Sequence, residues 1–97
     1  MTVSVSSNVR RQRVTFRGRV QGVGFRFTTR SIARRHPVVG YVMNLPDGAV
    51  EMVAEAESSV LELFLADILR EFAGNVRQYD VHDVARDEEF SAFEIRR

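Results

Sequence analysis

An α+β sandwich, two helices on one face of a mainly antiparallel sheet, is the fold class this sequence predicts, and three observations predict it. Apolar and polar residues alternate over residues 13–17 and again over 49–56, the period of a strand with one buried face. Apolar residues recur at helical spacing over 25–36 and 61–72. The two kinds of stretch then follow one another as strand, helix, strand, strand, helix, strand. The 97 residues suffice for one core, since a chain of this length buries somewhat over ~60% of the surface its unfolded form exposes.

The elements run in order as follows. Residues 1–9 are polar and are expected to form a tail, with one domain over 10–97. Val14 and Phe16 alternate with Arg13, Thr15 and Arg17, placing the first strand at 13–19. Phe25, Thr29, Ile32 and Ala33 give the first helix, which should run to His36 because Pro37 stops it. The β-branched run at 38–45 is the second strand, and "LPDG" at 45–48 is a turn, proline presetting one dihedral and glycine accepting positive φ. The third strand, 49–56, turns Val50, Met52 and Ala54 one way and Glu51, Val53 and Glu55 the other. Ser58 or Ser59 should cap the second helix, with Glu62 completing a capping box. Leu61, Phe64, Leu65, Ile68 and Phe72 form its stripe, and Gly74 should end it. The fourth strand spans about 76–84 with Tyr79 and Val81 inward; "RDEEF" is a charged loop; Phe93 and Ile95 mark a short terminal strand.

This β-α-β-β-α-β order is the split βαβ, or ferredoxin-like, plan. The helical crossover makes the first two strands parallel, with the third antiparallel between them. The loop after the first strand and the end of the second therefore meet at one sheet edge, two inter-strand spacings or roughly 10 Å apart. That gap has room for one phosphate and one water.

Composition narrows the function. The net charge of +1 argues against a bulk nucleic-acid binder, and no stretch is apolar enough for a membrane span or a signal peptide. There is no cysteine, which excludes thiol chemistry and agrees with a cytoplasmic location. All fourteen basic residues are arginine, so only its position can make one of them special.

Two positions qualify. In "RGRVQGVGFR", residues 17–26, Gln21, Gly22, Val23, Gly24, Phe25 and Arg26 lead into the first helix. Glycines there permit φ to alternate in sign, aiming several N–H groups into an anion-binding nest ahead of a helix N-terminus. Arg26 would then fork two oxygens of the same anion. A plain turn with a solvated arginine explains the same residues, and the GK[ST] ending of a P-loop is missing. Asn44 interrupts an apolar strand just before Pro-Asp-Gly. It either serves the site or ties its own turn. The histidines, His36 and His82, show no metal-ligand spacing, and Asp80, Asp83 and Asp87 suit a solvated strand and loop.

Taken together, "GRVQGVGFR" at 18–26 and "GYVMNLPDGAVE" at 40–51 resemble the acylphosphatase family, over roughly residues 13–97 including the closing "FEIRR". The resemblance implies a ferredoxin-like sandwich and metal-free hydrolysis of the carboxyl–phosphate bond, with no cofactor. It implies that Arg26 binds phosphate, that Asn44 holds the attacking water, and that the amides of residues 21–26 cradle the phosphate. Small acyl phosphates and inorganic phosphate are the implied ligands, and a monomer is expected. Tyr41 stands where the family often has tryptophan, Met43 where a charged residue is common, and "FAGNV" replaces the usual Gly-Pro exit from the second helix.

The chemistry of the residues agrees. An acyl phosphate leaves as a carboxylate whose conjugate acid has a pKa of about 4, so no general acid is needed. An anion cradle and one amide suit so labile a bond and would not suffice for a phosphomonoester. The alternative is a ferredoxin-like module that binds phosphate or another ligand without turnover. An RNA-binding version is disfavoured by Glu51 and Glu55 on the open face of the third strand.

Overall fold

The computed structural model describes residues 8–97. Five strands and two helices follow in the order β1 (Val9–Gly18), α1 (Phe25–Ala33), β2 (Val39–Asn44), β3 (Val50–Glu57), α2 (Ser58–Glu71), β4 (Val76–Asp83) and β5 (Phe93–Arg96). They build one sheet of order β4-β1-β3-β2-β5, in which, among the described residues, β2 and β5 are the one neighbouring pair that runs parallel. α1 packs over β2 and β5 and α2 over β3. This is the ferredoxin-like sandwich, with β5 added beyond β2.

The core is the apolar face of the sheet pressed on the helices. Val14, Phe16, Val42, Val50, Met52 and Ala54 meet Phe25, Ile32, Leu61, Phe64, Ile68 and Phe72, all buried. Phe25 sits between Phe16 and Phe72, with ring centroids 4.9 and 4.5 Å away. It thereby anchors the first residue of α1 against both β1 and the end of α2. His36 Nε2 lies 2.8 Å from Asp67 Oδ2 and links the end of α1 to α2. That bond, with Arg70 nearby, holds the Asp67 carboxyl below the usual carboxylate range.

Several element boundaries differ from expectation for local reasons. Residues 1–7 of the expected tail lie outside the described residues, but Val9 already belongs to β1, opposite Glu57. α1 ends at Ala33 rather than His36, because Arg35 and His36 donate to Ile32 and Ala33 in tighter three-residue turns ahead of Pro37. No capping box forms on α2. β3 runs straight into the helix, Glu57 is the N-cap without a side-chain bond, and Ser58 is already helical. Instead, the Asn8 carbonyl accepts from Ser58 N–H at 3.1 Å and from its hydroxyl at 3.3 Å. α2 stops at Glu71, and the Phe72 carbonyl takes the N–H groups of Asn75 and Val76, so Gly74 stays out of the left-handed region.

Tyr79 and Val81 are not interior. They pair across β1 with Phe16 and Val14, and so face the helix side as expected. Yet β4 is the edge strand that neither helix covers, leaving them 44% and 39% exposed.

The opposite face carries a feature that periodicity does not reveal. Arg11, only 4% exposed, points onto the face away from the helices. Its Nε donates to Glu55 Oε1 at 2.9 Å, Nη2 donates to the Glu88 carbonyl, and the guanidinium stacks 4.2 Å from the Phe90 ring. The 84–92 segment is thereby strapped across the sheet, which accounts for Val53 being buried on its outward side. Removing one member of a buried ion pair strands its partner. Arg86 also reaches Glu55, at 3.2 Å, and softens the loss. Arg11→Ala is therefore expected to destabilise the fold by about 3 kcal/mol, the low end for such pairs. A denaturant midpoint unchanged from wild type would contradict this.

Candidate active site

The loop between β1 and α1 takes the shape its glycines permit. Gly22 and Gly24 have φ of 76° and 78°, while Val23 between them does not have positive φ. Alternation of this kind turns neighbouring N–H groups toward one concavity. A Cβ on either glycine would meet nothing within 4 Å, so dihedral freedom, not space, is what glycine supplies here. Gly24 is the N-cap of α1 without a side-chain bond, and the first intrahelical bond is Thr28 N–H to the Gly24 carbonyl at 3.0 Å. The preceding amides of Phe25, Arg26 and Phe27 therefore have no helical acceptor. No acidic residue occupies the first turn to compete for them.

Three contacts, two from this loop and one from the end of β1, hold the β2–β3 turn against them. The Gln21 carboxamide nitrogen donates to the carbonyls of Leu45 and Ala49, both at 2.8 Å. Arg17 Nη1 donates to Asp47 Oδ2 at 3.0 Å. The turn itself is closed by Ala49 N–H to Asp47 Oδ1 at 3.0 Å, Leu45 N–H to the Ala49 carbonyl and Gly48 N–H to the Leu45 carbonyl. The Ala49 amide, followed by Arg17, holds the Asp47 carboxyl below its ordinary range. Asp47 is a structural anion here, directed at its own turn.

Asn44 is the last residue of β2, directly opposite Val50. Cross-strand neighbours share a face. Val50 is fully buried under the helices, so the Asn44 side chain is directed to the helix side, toward the start of α1. A pocket of about 270 Å³ lies there, lined by Val20, Gly22, Gly24, Phe25, Arg26, Phe27, Asn44, Ile95 and Arg97. Arg26 and Asn44, 18 positions apart in sequence, thus face one cavity with both left-handed glycines. Arg26 Nη1 also donates to the Arg96 carbonyl at 3.4 Å, so β5 steadies the guanidinium from the far side.

Not every residue of the loop lines the pocket: Gly22, Gly24, Phe25 and Arg26 do, and Gln21 and Val23 do not. The Phe25 side chain is core, 2% exposed, although the residue also borders the pocket. The Gln21 side chain is spent on the two carbonyls of the neighbouring turn. Arg97, Ile95 and Phe27 also line the pocket, although no sequence motif marks them for it. The first two reach it only because β5 pairs in parallel with β2, Met43 opposite Arg96, and no local signal announces such a pairing. Among the described residues, no three His, Asp or Glu side chains gather where they could hold a metal ion. No helix in the same residues is long and apolar enough to cross a membrane.

Several known proteins similar to this chain are acylphosphatases. The family model described as Acylphosphatase matches residues 12–95. A curated acylphosphatase of Methanospirillum hungatei is 42% identical over 83 residues, covering 82% of this chain and 89% of that protein. Among solved structures, the acylphosphatase from Bacillus subtilis superposes with a TM-score of 0.79 at 29% identity, covering 92% of this chain and 99% of that one. HypF from T. kodakarensis gives the same TM-score at 26% identity, but the match spans only 12% of that longer chain.

Proposed function

The chain belongs to the acylphosphatase family and is an acylphosphatase, a hydrolase of the carboxyl–phosphate bond, and from that premise we propose that Arg26, Asn44 and the amides of residues 21–26 carry out the reaction. One observation carries the proposal: Arg26, Asn44, Gly22 and Gly24 line a single pocket at the N-terminus of α1.

In this reading the acyl phosphate places its phosphoryl group in the glycine loop. Backbone N–H groups, the helix dipole and the Arg26 guanidinium neutralise its charge. Water held by the Asn44 carboxamide attacks phosphorus opposite the acyl oxygen. The bond from phosphorus to that oxygen breaks, and the carboxylate departs with the electron pair. The proton of the attacking water passes to a phosphate oxygen. Phosphoryl transfer needs positioning and charge neutralisation more than covalent help, and a carboxylate leaving group needs no proton. That combination supports a reaction without a metal ion. A monomer in the cytoplasm is the setting this reading expects, in keeping with a chain that carries no cysteine.

Purified protein is expected to hydrolyse benzoyl phosphate at the same rate with and without EDTA. Loss of activity in the chelator, restored by a divalent ion, would overturn the metal-free mechanism. Phosphate binding with no turnover would instead identify a binding module.

A further inference from the structure

The phosphate-binding reading leaves one side of the pocket unused. Phe27 follows Arg26 in the first turn of α1 and lines the same cavity, yet it is 62% exposed. An isolated exposed phenylalanine is unremarkable, but this one has company. Val20 and Ile95 also line the pocket wall. The Arg30 guanidinium, one turn further along α1, lies 5.4 Å from the Phe27 ring centroid. Its Nε is buried without a hydrogen-bond partner among protein atoms. Arg30 thus backs the ring from the helix side and leaves the rest of it exposed. The cavity, about 270 Å³, is close to the lower limit of ~300 Å³ for small-ligand sites. That volume admits a phosphoryl group and a compact acyl group together.

We propose that Phe27 is the docking face for the acyl group, and that the enzyme favours acyl phosphates with planar, apolar acyl groups over short aliphatic ones. This rests on the assignment of the glycine loop as the phosphate site. With phosphorus held by the loop and Arg26, the carbonyl carbon lies one bridging oxygen further out, toward the pocket mouth where Phe27 stands. A ring attached there can meet the Phe27 face in the offset or edge-on contact that aromatic pairs prefer, whereas a methyl group offers little area to it.

Two measurements on wild type and Phe27→Ala test the proposal, and the exposure of this side chain makes the substitution tolerable to the fold. In kinetics, Phe27→Ala should lower kcat/KM for benzoyl phosphate about three- to ten-fold more than for acetyl phosphate, the scale of one aromatic contact. In binding, wild type should hold phenylphosphonate more tightly than methylphosphonate, and Phe27→Ala should erase the difference. Equal losses on both substrates, or equal phosphonate affinities in wild type, would overturn the acyl-docking role alone. If neither phosphonate nor inorganic phosphate shifts the amides of residues 21–26, the phosphate-site assignment falls, and this inference falls with it.

Discussion

Arg26→Ala is expected to lose on the order of 10³-fold in kcat/KM, the lower end of what a transition-state arginine contributes in phosphoryl transfer. It should also weaken inorganic phosphate binding by roughly ten- to a hundred-fold, the scale of a hydrogen-bonded contact to a charged group. Both effects follow from one cause in the proposed role: a guanidinium that touches the phosphoryl oxygens in ground and transition states alike. Arg26→Lys should recover only part of the loss, because an ammonium restores the charge but not the planar fork. A purely structural role forecasts differently. Arg26 makes one 3.4 Å bond to the Arg96 carbonyl, so its removal would then cost no more than about 1 kcal/mol of stability. The folded protein would keep its turnover. Steady-state kinetics, phosphate titration of the loop amides by NMR, and a denaturant midpoint separate the two. Normal phosphate affinity in folded Arg26→Ala would remove Arg26 from the site.

That Arg26 and Asn44 line one pocket is legible in the amino-acid sequence because both sit where topology forces convergence. A crossover helix makes β1 and β2 parallel, and their C-terminal ends share one edge whatever the details of packing. Position and residue type do the rest, since glycine before a helix and asparagine at a strand end are local signals. What the sequence does not carry depends on long-range coverage. Tyr79 and Val81 have the period of a buried strand face, and they do point to the core side, opposite Phe16 and Val14. Burial, however, needs a helix above, and with only two helices over five strands the β4 edge goes uncovered. Arg11 is the converse. It reads as one basic residue in a polar run, yet it is buried because the 84–92 segment folds back on it. Ser59 and Glu62 have the spacing of a capping box, but β3 enters α2 without a loop, and the Asn8 carbonyl takes the bonds instead. Phe27 carries no signal of its place, because helical spacing sorts residues into core and solvent faces, with no category for a pocket rim.

Asn44→Ala separates chemistry from architecture most cleanly. If Asn44 holds the attacking water, its loss should lower kcat by on the order of 10² or more, the effect of removing one catalytic hydrogen-bonding group. Phosphate affinity should stay within a few-fold, because the carboxamide contacts the water and not the phosphoryl group. The architectural alternative, that Asn44 ties the Pro-Asp-Gly turn, predicts a stability loss of about 0.5–1.5 kcal/mol with near-normal turnover. The structure gives that alternative little to act on. Asp47 Oδ1 receives the Ala49 amide, the Leu45 and Gly48 amides close the turn through backbone carbonyls, and Gln21 clamps the same carbonyls from the glycine loop. The turn is thus held by groups that Asn44→Ala leaves in place, while the register opposite Val50 keeps position 44 directed at the pocket. Asn44→Asp sharpens the test. It preserves size and strand placement but sets a negative charge beside the phosphate, so it should lose phosphate affinity as well as kcat. Near-normal turnover in folded Asn44→Ala would end the water-holding role, even if Arg26 behaves as expected.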